Sequence, residues 1–209
     1  LSDTSSVFFS SIDSLLSTFK FVNNKSKMCV LIETFVLRAN KSSFDIAKSK
    51  KILNKFLSEN YYNENRELIY KDVQPRILIE KYISEVDSDS LIDYKFYCFH
   101  GVPKYVLVKT NQNGKGKKCF YDLKWNKIIP NKIPGDFLDF EIEKPSNLDE
   151  MLEVATKLAD DIIFVRVDLY SIKGKIIFGE LTFFPTGGNK RISVEKFNKE
   201  FGDLIELPT

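Results

Sequence analysis

Phe164-Val165-Arg166-Val167-Asp168-Leu169-Tyr170, followed shortly by Phe178-Gly179-Glu180-Leu181-Thr182-Phe183, has the alternation of two adjacent β-strands. Side chains alternate across a strand. Ile163, Val165, Val167 and Leu169 therefore share one face, and Phe164, Arg166, Asp168 and Tyr170 share the other. In the second segment Ile177, Gly179, Leu181 and Phe183 fall together, opposite Phe178, Glu180, Thr182 and Phe184. A three-residue loop, Lys173-Gly174-Lys175, pairs Ile172 with Ile176 and sets Asp168 directly across from Glu180. Two opposed carboxylates destabilise a sheet unless something positive sits between them. Oxygen donors favour Mg²⁺, which takes one or two carboxylates and completes its shell with water and substrate phosphates. Arg166 lies on the same face as Asp168 and is placed to grip a phosphoryl or acyl oxygen. Gly187-Gly188 follows, where backbone can approach a ligand closely. The competing reading is a solvated edge hairpin, in which a register slip of one residue separates the two acids.

Working outward, the chain reads as alternating hairpins and helices. Ile12, Leu15, Leu16 and Phe19 have helical spacing. Leu31 to Asn40 reads as a strand. Ser42-Ser43-Phe44-Asp45 opens a helix with Ile46, Leu53, Phe56 and Leu57 as its apolar stripe. Arg76 to Ile83 reads as a strand after Pro75. Residues 93–99 and 104–109 form a hairpin pair around Gly101-Val102-Pro103. Asn111 to Lys118 reads as a turn, with a strand at Cys119–Leu123 beyond it. Residues 126–145, with Pro130, Pro134 and Pro145, form an extended connector. Ser146-x-x-Asp149 starts a helix to about Asp160. Ile162–Tyr170 and Ile176–Phe184 are strands, and a short helix follows near Ser193–Phe201. Antiparallel hairpins with two long helices predict an α+β fold.

Composition narrows the function classes. Lys and Arg number 31 and Asp and Glu 29, a net charge of +2 in 209 residues, which offers no basic patch for nucleic acid or a membrane surface. Hydrophobic residues are 43% and charged residues 29%, the range of a globular chain with a real core. No apolar run approaches the roughly 18 residues that a membrane helix needs, and no signal peptide is read at the start. Cys29, Cys98 and Cys119 are sparse and lack C-x-x-C spacing. They read as reduced thiols in a cytoplasmic protein, with Cys98 and Cys119 buried. His100 is the single histidine. A zinc site and Ser-His-Asp chemistry are thereby disfavoured, and His100 reads as a turn residue. Any catalysis is left to carboxylates, Lys, Arg and a cofactor.

The two segments quoted first resemble the C-terminal signature of ATP-grasp enzymes, most closely the TupA-like branch associated with teichuronopeptide and other surface-polysaccharide biosynthesis. Four further segments agree, in order: Phe35-Val36-Leu37-Arg38-Ala39-Asn40, Pro75-Arg76-Ile77-Leu78-Ile79-Glu80-Lys81-Tyr82-Ile83, Asp93-Tyr94-Lys95-Phe96-Tyr97 and Phe120-Tyr121-Asp122-Leu123-Lys124-Trp125. The resemblance implies an ATP-grasp fold of antiparallel sheets with flanking helices in two lobes. The smaller lobe, with the N-terminal segment, would span 1–82, and the lobe carrying the metal site 83–209. It implies ATP and Mg²⁺ as cofactors, with Asp168 and Glu180 as metal ligands and Thr182 where most ATP-grasp enzymes carry a third ligand, Asn. Arg166 would stabilise the transferring phosphoryl group or tetrahedral oxyanion, and Lys95 would meet phosphates. Arg38 stands where the family usually has Lys, and Glu80, Lys81, Tyr82 and Ile83 would form the hinge that reads adenine.

The glycine-rich, phosphate-covering loop implied after Asn40 is not there, since Lys41-Ser42-Ser43 follows at once. Either the loop is lost or the stretch between Asn40 and Lys41 is incomplete; the second is the expectation. The implied activity is an ATP-dependent carboxylate–amine ligase that forms an amide through an acyl phosphate. Its partners would be an amino acid or amine and a glycan uronic-acid carboxylate, in capsule, teichuronopeptide-like or O-antigen modification. Two alternatives stay open: an inactive ATP-grasp-like module that binds nucleotide or glycan, and a glycosyltransferase whose D-x-D motif would be Asp87-Ser88-Asp89.

Overall fold

The computed structural model of the chain describes residues 51, 54–55, 57–73, 91–112, 115–130, 132–188, 191–192 and 194–207. The chain divides into two compact units, Leu1–Tyr82 and Ile83–Thr209. In the first, described residues 51, 54–55 and 57–58 are helical, within the helix read after Ser42, and a helical turn, α1 (Tyr62–Asn65), and a 3₁₀ turn at Leu68–Tyr70 follow. Asn60 organises this segment: its Oδ1 accepts the Tyr62 N–H at 3.0 Å and its Nδ2 donates to the Lys71 carbonyl at 2.9 Å. Leu57, placed by its spacing on an apolar stripe, is 43% exposed. The strands read at Leu31–Asn40 and Arg76–Ile83 lie outside the described residues.

The described residues of the second unit form one antiparallel sheet of six strands: β1 (Asp93–Phe99), β2 (Val102–Gln112), β3 (Lys115–Tyr121), β4 (Lys127–Ile128), β5 (Phe164–Ile172) and β6 (Lys175–Thr182). Their order is β4-β3-β2-β1-β5-β6. Two helices complete it, α2 (Leu148–Ala159) and α3 (Glu195–Asp203). The α+β class read from the hairpin pattern is what the chain adopts.

Alternation divides the sheet into two faces. Tyr94, Phe96, Cys98, Val106, Val108, Cys119, Tyr121, Val165, Val167 and Leu169 are buried on the first. Against it lies α2, whose apolar stripe of Leu148, Met151, Val154, Ala155 and Leu158 packs on β1, β2 and β5. On the second face Tyr97, Phe99, Leu107 and Phe120 are covered by Val194, Phe197 and Phe201 of α3 and its lead-in. With both faces covered, every residue of β1 from Tyr94 to Phe99 is buried. Tyr105 ties α3 down further by donating its hydroxyl to Glu200.

Several boundaries differ from the sequence reading, each for a local reason. The β1–β2 turn is His100-Gly101, both at positive φ (47° and 77°), so Val102 and Pro103 already belong to β2. Pro103 lacks an N–H, but β3 pairs with β2 only from Val106 onward, so no ladder bond is lost. Lys115 to Lys118, read as turn, is strand: Lys118 pairs with Lys109 and Lys115 with Gln112. Backbone pairing needs no apolar side chains at an exposed hairpin end. Ser146 does not cap α2. Asn147 is the N-cap position, and its side chain reaches away to donate to the Gly174 carbonyl at 3.2 Å and accept from Ser171 at 2.9 Å. Cys98 and Cys119 are free and buried, and burial pushes their thiols up to about 12 and about 11.

Candidate functional site

The β5–β6 hairpin places the expected acids by a route that local spacing does not show. Its turn has two residues, Lys173-Gly174, both at positive φ (51° and 76°). Ile172 therefore pairs with Lys175, and Ile176 pairs with Ser171. The expected pairing of Ile172 with Ile176 is corrected, and carried on unbroken this register would offset Asp168 from Glu180 by one residue. A bulge restores it. Leu169 pairs with Phe178, whereas Asp168 pairs with Glu180, so Gly179 is the extra residue. A Cβ built on Gly179 would sit 3.0 Å from the Asp168 carbonyl oxygen and 3.1 Å from Cε2 of Tyr170, a space that suits only glycine without adjustment. The bulge also moves Phe178 to the Leu169 face, away from Glu180, with which alternation had grouped it.

The acids converge. Arg166 Nη2 donates to Asp168 Oδ2 at 2.8 Å, to Glu180 Oε1 at 2.6 Å and to Thr182 Oγ1 at 2.8 Å, while its Nε donates to Asp168 Oδ1 at 2.7 Å. One guanidinium nitrogen thus lies within hydrogen-bond distance of both carboxylates. Thr182 donates its hydroxyl to Glu180 Oε1 at 2.7 Å and fixes that side chain. From β1, which pairs with β5 so that Lys95 faces Asp168, Lys95 Nζ donates to Asp168 Oδ2 and lies 2.6 Å from Asp93 Oδ2. Asp168 is 2% exposed at its side chain, Lys95 7% and Arg166 12%, while Glu180 opens toward solvent at 29%.

Burial sets the electrostatics. The Glu180 carboxyl is raised above the ordinary carboxylate range by burial first and the charge of Asp168 second, against the pull of Thr182 and Arg166. Asp93 is raised as well: burial dominates, Lys95 opposes it and Asp168 adds to it. Burial works against the Arg166 cation, yet its hydrogen bonds and attraction to Asp168 prevail and raise its pKa. Lys109, the cross-strand partner of Asp93, is lowered by burial and then by the fields of Lys95 and Arg166.

Of the predicted site residues, Lys95, Arg166, Asp168, Glu180 and Thr182 are brought together on one face. Arg38, Glu80, Lys81, Tyr82 and Ile83 lie outside the described residues, as do Asp87-Ser88-Asp89 and the junction at Asn40. Asp93 and Lys109 were not singled out as site residues. The Asp93-x-Lys95 alternation was a signal for the first, but only the β1–β5 pairing shows that Asp168 shares Lys95.

The family model for TupA-like ATPgrasp matches residues 11–206, nearly the whole chain. The chain belongs to the TupA-like ATP-grasp family. No curated protein and no solved structure matches it. ATP-grasp proteins are in general ATP-dependent, ligase-like enzymes that bind ATP with Mg²⁺. The chain's donor set has the chemistry that a hard cation takes: two carboxylates near enough for Asp168 Oδ2 and Glu180 Oε1 both to accept from Arg166 Nη2. Among the described residues no group of three His, Cys, Asp or Glu is placed to hold a metal ion. The remaining ligands would come from water and nucleotide phosphates, the manner in which Mg²⁺ is ordinarily held. Among the described residues no helix is long and apolar enough to cross a membrane.

Proposed function

We propose that this TupA-like protein is a cytoplasmic ATP-dependent carboxylate–amine ligase acting in surface-polysaccharide modification. The observation that carries the reading is that Asp168 and Glu180 are close enough to accept from one nitrogen, Nη2 of Arg166, with Lys95 also on Asp168. Asp168 and Glu180 would hold Mg²⁺ with the ATP phosphates, and the metal when bound neutralises charge that grows during phosphoryl transfer. Lys95 and Arg166 supply cations beside the same oxygens. Arg166 presents its guanidinium to the transferring phosphoryl group and then to the oxyanion of the tetrahedral intermediate.

The reaction balances in two displacements. A substrate carboxylate oxygen attacks the γ-phosphorus, and ADP leaves with the bridging oxygen. An amine nitrogen then attacks the acyl carbon, inorganic phosphate departs, and the amine proton passes to solvent. The substrates would be an amino acid or amine and a glycan uronic-acid carboxylate, with adenine read at Glu80 to Ile83 and phosphates met by Arg38. Family membership supports the ATP-dependent step, while the glycan and the amine are this reading's own addition.

The test is ADP release with ATP, a panel of amino acids and uronic-acid acceptors. The wild type turns over with at least one pair, and Asp168→Asn and Glu180→Gln each lose turnover by about 10²–10³-fold, the loss of one preorganised electrostatic group. Unimpaired ADP release by both variants sinks the assignment. A second reading, a nucleotide-binding module without turnover, draws on the fact that Arg166 and Lys95 already satisfy both oxygens of Asp168. Thermal stabilisation by MgATP with no ADP formed under any substrate pair would favour it.

A further inference from the structure

We propose that Asp93 is a positioning residue of this site, retaining Lys95 when Asp168 is drawn to metal and phosphates. The proposal rests on the nucleotide reading above. Lys95 is a buried ammonium held between two carboxylates, Asp168 on β5 and Asp93 on its own strand. A buried charge stripped of its partner is strongly unfavourable, so Asp168 can serve a ligand only if the cations on it have somewhere else to go. Arg166 does: its Nη2 already donates to the Thr182 hydroxyl as well. For Lys95, the other carboxylate among the described residues is Asp93, 2.6 Å away.

The geometry suits that role. Asp93 and Lys95 are two residues apart on one strand and so point to the same face. The backbone of Asp93 is held on both sides, by Lys109 of β2 and Tyr170 of β5. Its Oδ1 is buried and accepts no hydrogen bond among the described residues, so the carboxylate has capacity for the whole ammonium. Lys109 makes no ion pair with Asp93 that would compete. Asp93 keeps Lys95 beside the site as a cation available to phosphates, instead of a rival to the metal for Asp168.

The experiment is calorimetric binding of ADP with Mg²⁺ and with EDTA, on the wild type, Asp93→Asn and Asp93→Glu. Without Asp93, Lys95 stays on Asp168 and opposes the metal. Asp93→Asn is therefore expected to weaken MgADP binding at least tenfold while changing metal-free ADP binding less than threefold, and Asp93→Glu to restore the MgADP value to within threefold. Unchanged MgADP affinity in Asp93→Asn overturns the proposal. Equal weakening with and without Mg²⁺ does so too, because it is the mark of a merely structural side chain. Should Asp93→Asn not fold, Asp93→Ser is read by the same ratio. A wild type that binds no MgADP fails the nucleotide reading itself, before any variant is made.

Discussion

The face of the sheet that bears the site is two surfaces on the same strands. Toward one end of β1 and β5, Tyr97, Phe99 and Phe164 join Leu107 and Phe120 beneath Phe197 and Phe201 of α3, ring against ring. Toward the other end the same strands carry Asp93, Lys95, Arg166 and Asp168. The change falls at one cross-strand pair, Tyr97 opposite Arg166. The aromatic end excludes water by contact with a helix. The charged end is buried almost as deeply, but among the described residues its charged groups are paired mainly with one another. Burying an ion network forfeits hydration that the pairing only partly returns, so the aromatic end stabilises the unit and the charged end adds little to its stability.

That contrast can be broken at either end. The largest effect is expected from Phe197→Ala. Phe197 is fully buried, stacks on Phe201 with centroids 4.9 Å apart and meets Phe120 edge-on. Its loss should cost about 3–5 kcal/mol in urea unfolding, with MgADP affinity unchanged in the protein that remains folded. Next comes Asp168→Asn, which weakens the partner of two buried cations and should cost about 3 kcal/mol. Replacing all five charged groups together, Asp93, Lys95, Arg166, Asp168 and Glu180, by apolar residues of similar size should instead leave stability unchanged or raise it, while ending nucleotide binding. A fivefold variant much less stable than Asp168→Asn would mean that the charged end is structural after all.

The strand alternation and the Asp168–Glu180 opposition were legible because period-two burial writes itself into sequence. The route was not. A two-residue turn and a one-residue bulge each shift the register, and their effects cancel at Glu180. Neither shift is visible in local composition, since Lys173-Gly174-Lys175 accommodates more than one loop length. Asp93 escaped notice for a different reason. Its importance depends on β1 lying beside β5, a pairing between segments far apart in the chain. The bulge gives the next prediction. Gly179→Ala pushes a methyl against the Asp168 carbonyl and should cost about 1–2 kcal/mol, with a fall in MgADP affinity because the strain is delivered to the backbone of a site residue. Gly202→Ala, where nothing lies within 4 Å of the added carbon, should affect neither by as much.

The smallest effect separates the two ends by pH. Glu180 is raised by burial and by Asp168, so the folded protein holds a proton there at pH values where the unfolded chain has released it. The folded state then binds more protons than the unfolded state, and stability falls as pH rises from the ordinary carboxylate range through the raised folded value. Urea midpoints between about pH 4.5 and 7 should show that downward slope in the wild type and a shallower one in Glu180→Gln. Asp93, raised in the same direction, accounts for part of what remains. Phe197→Leu, at the aromatic end, should shift the whole curve without altering its slope, since it removes no titrating group. A steeper slope in Glu180→Gln would mean that the hold of Arg166 on Glu180 outweighs its burial, and that the carboxylate is a settled ion pair instead of a group kept ready for a cation.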